Sequence, residues 1–432
     1  MSRLIVHPGG ALCGRGRVPG DKSISHRALL LGALADGASH ISGFLPSRDC
    51  LATLACLRAL GVPVEAHDAT TLTVHGRGLR GLQAPGAPLN CVRSGTTMRL
   101  LAGILAGQSF DCTLTGDPQL LRRPMRRITE PLRRMGAGIE ATDGHAPLTI
   151  HGRRLHGYDH TLAVASAQVK SALLLAGLYA DGPTTVRQLG PARDHTERML
   201  AAMGAAIKTS GLNVTLVSSA ALSPLTLRIP GDLSSAAFPL IAAALLPGSE
   251  VTIERVGVNP TRTGLLDVLR AMGAGVALED EREQGGEPVA DVTMRASDLT
   301  GVEVSGHTVV RMIDEFPVLA VAATQAHGTT VVRDAAELRV KETDRIATAV
   351  AELRVLGARI EPRPDGFVVE GPTTLRGGVV DSHGDHRLAM ALAVAGLVAQ
   401  GEVTIENAEC VPDSFPGFVE FMRSLGAKIH ST

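Results

Sequence analysis

The chain has 432 residues, more than one hydrophobic core usually serves, so its length predicts two domains. Hydrophobic residues make up 44% of the sequence, with no Trp, two Tyr and eight Phe, so small aliphatic side chains are expected to fill the cores. The 42 basic and 43 acidic residues leave a net charge of −1. A sequence-independent nucleic-acid binder needs a strong basic excess, so this composition excludes that class of protein.

The N-terminus lacks the apolar segment of a signal peptide, and the longest apolar runs, near a dozen residues, are too short to span a bilayer. The sequence therefore predicts a soluble, cytoplasmic protein. Its six cysteines show no metal-ligand spacing and are predicted to be reduced core residues rather than disulfides.

One sequence pattern returns six times along the chain. Leu or Met, two further residues and Leu or Met precede a glycine, and Val or Ile follows it three residues later. This pattern is typical of an amphipathic helix that ends at a left-handed glycine before a strand. The six glycines are Gly61, Gly136, Gly204, Gly273, Gly357 and Gly426.

A second type of helix precedes each of these and is apolar on nearly every face, which is typical of a buried helix. The six predicted segments are Ala28–Ala35, Met98–Ala106, Ser171–Ala180, Phe238–Leu246, Phe316–Thr324 and Leu388–Ala399. Each is followed by a β-like stretch. The repeat is therefore a buried helix, a strand, an amphipathic helix and a strand, with a further strand in places.

The repeats group in threes. Val18-Pro19-Gly20-Asp21 recurs 211 residues later as Ile229-Pro230-Gly231-Asp232, each time directly before a buried helix. We expect two domains, one of residues 20–230 and one of residues 1–19 plus 231–432, joined by hinges at 19–21 and 229–232. The N-terminal segment would then complete the C-terminal domain.

The starts of the buried helices carry both capping residues and cations. Asp21, Ser94, Ser166, Asp232 and Asp385 are good N-caps. Capping does not explain the cations at these starts, because a positive charge opposes the positive end of a helix dipole. Fixed cations beside exposed backbone N–H groups favour a site for an anionic ligand such as a phosphate. The cations are Lys22, Arg27, Arg99, Lys170 and Arg387.

Loops between strands and helices add further charge, most densely at Arg339–Arg345. A solvated charged face is the ordinary interpretation of such a run, but loops at this place in a repeat often carry function. Asp314, Glu342 and His386 are candidate acid–base groups, and a general acid role for Glu342 would need desolvation to favour its protonated form. Asp381, His383, Asp385 and His386 resemble a metal cluster, but we predict no metal.

Four segments together resemble the 5-enolpyruvylshikimate-3-phosphate synthase family. They are Pro19–Arg27, Arg123–Met125, Arg339–Arg345 and Asp385–Arg387, and they match in order along essentially the whole chain. Ala165–Ser171 and Arg193–Glu197 are similar to the bacterial class II branch. The resemblance implies a two-domain inverse α/β barrel, the enolpyruvyl transferase fold, with six βαβαββ units, three per domain, and a cationic cleft between the two halves.

The resemblance also implies the reaction: the enolpyruvyl group of phosphoenolpyruvate passes to the 5-hydroxyl of shikimate 3-phosphate, and phosphate is released. The protein would be a monomer with these two small-molecule substrates, without cofactor, metal, nucleic acid or membrane. Asp314, Glu342 and Lys22 would be catalytic. Shikimate 3-phosphate would meet Lys22, Ser23, Arg27, Ser166, Ala167, Gln168, Arg193, Asp314 and Lys341. Phosphoenolpyruvate would meet Lys22, Gly95, Arg123, Gln168, Arg345 and Arg387.

The chain departs from the family's usual residues at Arg93, Ala167, Glu337 and Asp413, which leaves the substrate contacts there open. Gly95 matches the form of the family that glyphosate inhibits. Two alternatives remain: a UDP-N-acetylglucosamine enolpyruvyl transferase, whose helix start reads K-N-A and which uses a Cys in a Gly-rich loop, and a non-catalytic anion-binding repeat protein.

Overall fold

The computed structural model describes residues 2–217 and 221–432, which fall into two compact lobes. The inserted lobe consists of residues 20–229 together with 283–287. The composite lobe consists of residues 2–19, 230–282 and 288–432. The sequence assigned 283–287 to the C-terminal domain, whereas their packing assigns them to the inserted lobe.

The six amphipathic helices end where the glycine pattern predicts. Their glycines have φ between +82° and +106°, which a residue with a Cβ rarely adopts, so each glycine allows the chain to turn from helix into strand. The helices are Arg48–Ala59, Arg126–Arg134, His195–Ala202, Gly264–Ala271, Arg345–Val355 and Phe418–Ser424.

The six buried helices also form, and the three in each lobe pack against one another at its centre. In the inserted lobe they are Lys22–Leu34, Gly95–Ala106 and Ala167–Gly177. In the composite lobe they are Leu233–Leu245, Phe316–Gln325 and His386–Val398. Their cores are almost entirely aliphatic, as the composition predicts. Shorter helical segments are Pro118–Leu121, His307–Arg311, Ala336–Val340 and Ala408–Asp413.

Each repeat closes into a four-stranded sheet of one pattern: a parallel edge strand, the strand after the buried helix, and two antiparallel strands. Sheets thus surround central helices, the reverse of an ordinary α/β barrel. The sheets of the inserted lobe, in spatial order, are Thr226–Arg228, Ala38–Ser42, Leu72–His75, Val64–Ala66; Leu89–Asn90, Asp111–Thr115, His145–His151, Gly138–Thr142; and Asp159–Thr161, Thr184–Arg187, Asn213–Leu216, Ile207–Ser210.

The composite lobe repeats this pattern, and the N-terminal segment supplies two of its strands. Leu4–Val6 pairs antiparallel with the last repeat, and Cys13–Gly16 pairs parallel with Glu250–Gly257. The sheets are Cys13–Gly16, Glu250–Gly257, Glu287–Arg295, Gly275–Gln284; Glu303–Val304, Gly328–Val332, Gly366–Gly371, Arg359–Arg363; and Arg376–Asp381, Gln400–Glu406, Leu4–Val6, Ile429–Ser431. A minor pair joins Leu155–His156 to Ala180–Asp181.

Two sequence expectations need correction. The third strand of the repeat, expected only in places, is present in all six sheets. All six cysteines are free, but Cys13 is exposed rather than in a core, since it lies on the edge strand Cys13–Gly16.

In the described part of the chain, no helix is both long enough and apolar enough to cross a bilayer.

Candidate active site

Capping accounts for five of the six buried-helix starts. Asp21, Ser94, Ser166, Asp232 and Asp385 each accept a backbone N–H of the first turn through the side chain. The helix Phe316–Gln325 begins without a side-chain cap. The caps fix the helix ends, so the polar side chains that follow them occupy defined positions.

Lys22 begins the first buried helix and forms an ion pair with Asp49, 27 residues further along the chain. Its Nζ lies 2.5 Å from Oδ2 of Asp49, and both side chains are about five-sixths buried. Asp49 lies in the first turn of the next helix, where an acid is ordinary because it favours the helix dipole. Only the tertiary contact marks Asp49 as a neighbour of the site.

Arg27 is buried one turn further along the same helix. Its Nε donates to Oγ1 of Thr196 at 2.7 Å, its Nη2 to Oγ of Ser171 at 2.7 Å, and its Nη1 to the carbonyl of Ser23 at 2.9 Å. Burial lowers the pKa of Arg27 to about 10, so the guanidinium still carries its charge at neutral pH. Arg193 donates from Nη1 to Oγ of Ser23 at 3.2 Å, so Ser23, Arg27 and Arg193 form one cluster.

Gln168 is held between two helix starts. Arg99 donates from Nη1 to Oε1 of Gln168 at 2.6 Å, and Nε2 of Gln168 donates to Oγ1 of Thr96 at 2.9 Å. The residues on either side differ in their chemistry: Ser166 caps the helix, whereas Ala167, its first residue, offers only its backbone. The amide of Gln168 is thus oriented by the neighbouring repeat.

Gly95 lies where two guanidinium groups approach the backbone. A Cβ at this position would lie 2.8 Å from Nη1 of Arg99 and 3.2 Å from Nη1 of Arg123. Arg123 belongs to the segment Arg123–Met125 that carries part of the family resemblance, and the structure brings Gly95, Arg99 and Arg123 together. Glycine is needed here for space, because its φ is not in the left-handed region.

Lys170 does not behave as the charge pattern suggested. Its side chain is only 1% exposed, and its Nζ lies 2.6 Å from Oε1 of Glu197. It also donates to Oε1 of Gln188 at 2.9 Å and to the carbonyl of Ala192 at 3.0 Å. An ammonium group has three donors, and all three are used, so Lys170 is a structural ion pair rather than an anion ligand.

In the composite lobe, Arg345 gathers three carboxylates. Its Nη1 lies 3.2 Å from Oδ1 of Asp314, its Nη2 lies 2.8 Å from Oε2 of Glu342, and its Nε lies 2.7 Å from Oδ2 of Asp385. Burial alone would lower the pKa of Arg345, but the charges of Asp385, Glu342 and Asp314 outweigh burial and raise it. The two candidate acid–base groups, Asp314 and Glu342, therefore share one guanidinium.

Lys341 adds a second cation beside Asp314, with 3.6 Å between its Nζ and Oδ1 of Asp314. Burial lowers the pKa of Lys341, although Asp314 opposes this shift. Lys341 and Arg345 are four residues apart, so they would share one face of a helix that had already begun at Lys341. It has not, because the helix begins at Arg345, and the two cations meet instead through Asp314.

Arg387 lies in the first turn of the helix His386–Val398 and is 5% exposed. Among the described residues, no group accepts a hydrogen bond from its buried Nη1. Burial would raise the pKa of Asp385, which caps this helix, but the charge of Arg345 outweighs it and lowers the pKa. A buried guanidinium with an unused donor at a helix N-terminus is suited to hold an anion.

The metal-like cluster is explained by the loop that precedes this helix. Asp381 accepts from the backbone N–H of His383 at 2.7 Å and from the side chain of Asn407 at 2.9 Å, and His383 bonds to Glu352 at 2.8 Å. Within residues 2–217 and 221–432, no group of three or more His, Cys, Asp or Glu side chains is arranged to hold a metal ion.

The chain is also similar to known proteins along nearly its whole length. The family model described as EPSP synthase (3-phosphoshikimate 1-carboxyvinyltransferase) matches residues 6–422. A 3-phosphoshikimate 1-carboxyvinyltransferase of Acidithiobacillus ferrooxidans is 54% identical over 99% of this chain and 98% of that protein. One of Methylococcus capsulatus is 54% identical over 98% of this chain and 97% of that protein. An EPSP synthase structure from Acinetobacter baumannii has a TM-score of 0.90 and 45% identity, and the match covers all of both chains.

Two lobes of three βαβαββ repeats, with sheets around central helices and cations at the helix starts, define an enolpyruvyl transferase fold. Within that class, the chain belongs to the EPSP synthase family. The UDP-N-acetylglucosamine enolpyruvyl transferase, considered from the sequence, is therefore not favoured.

Proposed function

We propose that this chain transfers the enolpyruvyl group of phosphoenolpyruvate to the 5-hydroxyl of shikimate 3-phosphate and releases phosphate, as its family membership indicates. In the addition step, the hydroxyl oxygen bonds to C2 of phosphoenolpyruvate while C3 takes up a proton. In the elimination step, C3 loses a proton, the C2–phosphate bond breaks and the double bond re-forms. The two steps balance without a cofactor or a redox change.

The observation that carries this proposal is the shared guanidinium of Arg345, which brings Asp314 and Glu342 together across 28 residues of sequence. We assign Asp314 to accept the 5-hydroxyl proton and Glu342 to protonate C3. Lys22, which the ion pair with Asp49 holds in place, assists. A positioned general acid or base contributes roughly 10²- to 10⁴-fold to a rate.

We assign shikimate 3-phosphate to the cluster of Ser23, Arg27 and Arg193, with Lys22, Ser166, Ala167, Gln168, Asp314 and Lys341 as further contacts. The support is that two guanidinium groups converge on Ser23, through its carbonyl and its hydroxyl. A phosphate carries about −1.5 to −2 charge and three acceptor oxygens, and fixed, bidentate donors recognise it well.

We assign phosphoenolpyruvate to Arg123, Arg345 and Arg387, with Lys22, Gly95 and Gln168. The unused buried Nη1 of Arg387 supports this assignment, because a buried donor without a partner is unfavourable unless a ligand accepts from it. The helix N-terminus on which Arg387 lies adds its own attraction for a carboxylate or phosphate.

The test is phosphate release from purified protein given both substrates. Asp314→Asn and Glu342→Gln should each lower kcat by about 100-fold or more, with KM values changed much less. Glu361→Gln, at an exposed position of the strand Arg359–Arg363, is the matched control and should keep wild-type kcat. Absence of release by the wild-type protein, or release that depends on UDP-N-acetylglucosamine, would contradict the proposal.

We further propose that glyphosate competes with phosphoenolpyruvate, since Gly95 leaves room beside Arg99 and Arg123. Gly95→Ala should weaken this inhibition, because the added methyl group lies within contact of both guanidinium groups. Inhibition constants for glyphosate in both proteins measure this, and inhibition that phosphoenolpyruvate does not relieve would contradict it.

We also propose that the protein is a cytoplasmic monomer. Its domains would be residues 1–19 plus 231–432 and residues 20–230, with hinges at 19–21 and 229–232, apart from residues 283–287, which pack with the inserted lobe. The near-zero net charge supports the absence of a nucleic-acid partner. Sedimentation equilibrium would measure the mass in solution, and a species of twice 44.9 kDa would contradict the monomer.

A further inference from the structure

Residues 283–287 form the turn between the strands Gly275–Gln284 and Glu287–Arg295, and they belong to the inserted lobe. The turn is the pair Gly285-Gly286, with φ of +61° and +81°, as a tight hairpin turn requires. A Cβ at Gly285 would lie 2.4 Å from Cδ1 of Leu227, so the turn packs closely against the rest of its lobe. The chain therefore enters this lobe a second time, for five residues.

This turn delivers a buried carboxylate to the helix His195–Ala202. Oε1 of Glu287 lies 2.7 Å from Nδ1 of His195, and both side chains are 1% exposed. Nδ1 of His195 and Oε1 of Glu287 share a hydrogen bond of 2.7 Å. The carbonyl of Gly286 accepts a second bond, from Nη1 of Arg198 at 2.9 Å.

His195 is the first residue of its helix. It lies between Arg193, which belongs to the proposed shikimate 3-phosphate subsite, and Thr196, which contacts Arg27 of that subsite. Two residues before it, Arg193 donates to Oγ of Ser23, and directly after it, Thr196 accepts from Nε of Arg27. The helix start lacks the usual capping bond, because Asp194 makes no side-chain bond to the first-turn N–H groups. The bond from His195 to Glu287 thus anchors a helix start that its own cap does not hold.

Burying this polar pair costs free energy of folding. Packed apolar side chains at these positions would stabilise the fold as well or better, so stability alone does not explain the pair. Nε2 of His195 is also buried, and no described residue bonds to it. Both features fit a pair retained because it fixes the position of its neighbours.

We propose that Glu287 and His195 are positioning residues for shikimate 3-phosphate, acting through Arg193 and Thr196 on the phosphate-binding cluster. This inference rests on the assignment of Ser23, Arg27 and Arg193 to that substrate. Neither Glu287 nor His195 is required to touch the substrate. Loss of their bond moves the start of the helix, and with it the guanidinium of Arg193.

Two conservative variants of Glu287 distinguish the effect of its side-chain length from the effect of its charge. Glu287→Gln keeps an oxygen acceptor within reach of Nδ1, whereas Glu287→Asp keeps the charge but shortens the side chain by one methylene. We expect Glu287→Asp to raise KM for shikimate 3-phosphate about 10-fold or more, because small misplacements of binding groups are expensive. KM for phosphoenolpyruvate and kcat should stay within about 3-fold. Glu287→Gln keeps an acceptor in place, but a neutral amide oxygen accepts more weakly than a carboxylate, so it should raise KM for shikimate 3-phosphate by only about 2- to 3-fold. Glu283→Ala, at an exposed position in the same segment, is the control.

A merely structural role would give a different result. Both variants would then lower the urea midpoint, and KM for shikimate 3-phosphate would equal that of the wild-type protein; this overturns the inference. Equal effects on the KM values of both substrates overturn it as well. If Glu287→Asp does not fold, the KM of Glu287→Gln decides, with a 2-fold or larger rise for shikimate 3-phosphate alone supporting the role and no rise refuting it. Failure of the wild-type protein to release phosphate would instead refute the proposed function.

Discussion

The burial of Lys170 gives the sharpest test of the structure against the charge pattern. Lys170→Met keeps an unbranched chain of similar length but removes the ammonium that lies 2.6 Å from Glu197. Removing one partner of a buried ion pair costs about 3–5 kcal/mol, because the other charge remains buried without compensation. Glu197 is 6% exposed, so water does not replace the lost ammonium group.

Tyrosine fluorescence during urea unfolding reports this loss selectively. The chain has no Trp, and both tyrosines, Tyr158 and Tyr179, lie in the inserted lobe with Lys170. With an m-value of about 2–3 kcal/mol per M, the expected loss lowers the urea midpoint by roughly 1–2 M. The double variant Lys170→Met/Glu197→Gln should lose less than the single variant, with a coupling energy of about 1–3 kcal/mol.

The control is Lys208→Met, at an exposed position of the strand Ile207–Ser210 in the same lobe. This variant should change the free energy of unfolding by no more than about 0.5 kcal/mol. If Lys170→Met were no more destabilising than this control, and instead raised KM for an anionic substrate, Lys170 would be a ligand and the buried ion pair would be the wrong interpretation.

Two further variants test His26, a buried residue of the helix Lys22–Leu34, and Arg345 of the candidate site. Burial lowers the pKa of His26 from 6.5 to about 3. Between these pH values the unfolded chain binds more protons than the folded chain, so protonation favours unfolding. The contribution of the neutral His26 to the free energy of unfolding is therefore fully present above pH 6.5 and is lost as the pH falls, by about 2 kcal/mol at pH 5. His26→Gln should lose less stability between pH 7 and 5 in the same tyrosine assay, and an unchanged loss would contradict the burial argument. Arg345→Lys replaces the planar guanidinium group, which bonds to three carboxylates, by an ammonium group. We expect kcat/KM to fall about 100-fold, which equals about 2.7 kcal/mol. This is the free energy of one to two hydrogen bonds to a charged group. An Arg345→Lys rate within 3-fold of Arg359→Lys, an exposed control, would refute that role.

The repeat architecture was predictable because its signals are local. The glycines that end the amphipathic helices, the apolar runs of the buried helices and the N-caps are recognised over four to twelve residues. From the position of the Pro19-Gly20 turn, the N-terminal segment was expected to complete the C-terminal domain. Leu4–Val6 pairs with Gln400–Glu406 in a register that the sequence did not predict. The third strand of the repeat was recognised in Leu72–His75 but not in Asn213–Leu216 or in the longer Glu287–Arg295, so strand length alone does not explain which ones were missed.

The site was predicted less completely, because its charges act in pairs that are distant in sequence. Lys170 and Arg27 looked alike as helix-start cations, yet Lys170 is fully paired with Glu197, whereas Arg27 is held by neutral hydroxyls and a carbonyl near Ser23. No local pattern distinguishes these two environments. The Lys22–Asp49 pair was missed for the same reason.

By itself the sequence determined six repeats, two groups of three and a set of cations at helix starts, since these follow from hydrophobic periodicity and capping within single elements. Only the tertiary structure decided which charges neutralise one another. It gave Arg345 three carboxylates, used every donor of Lys170, and brought Glu287 to His195 across 92 residues. Those choices depend on which helix starts and turns meet in space, and burial then makes each pairing obligatory, because an unpaired buried charge is too costly to keep.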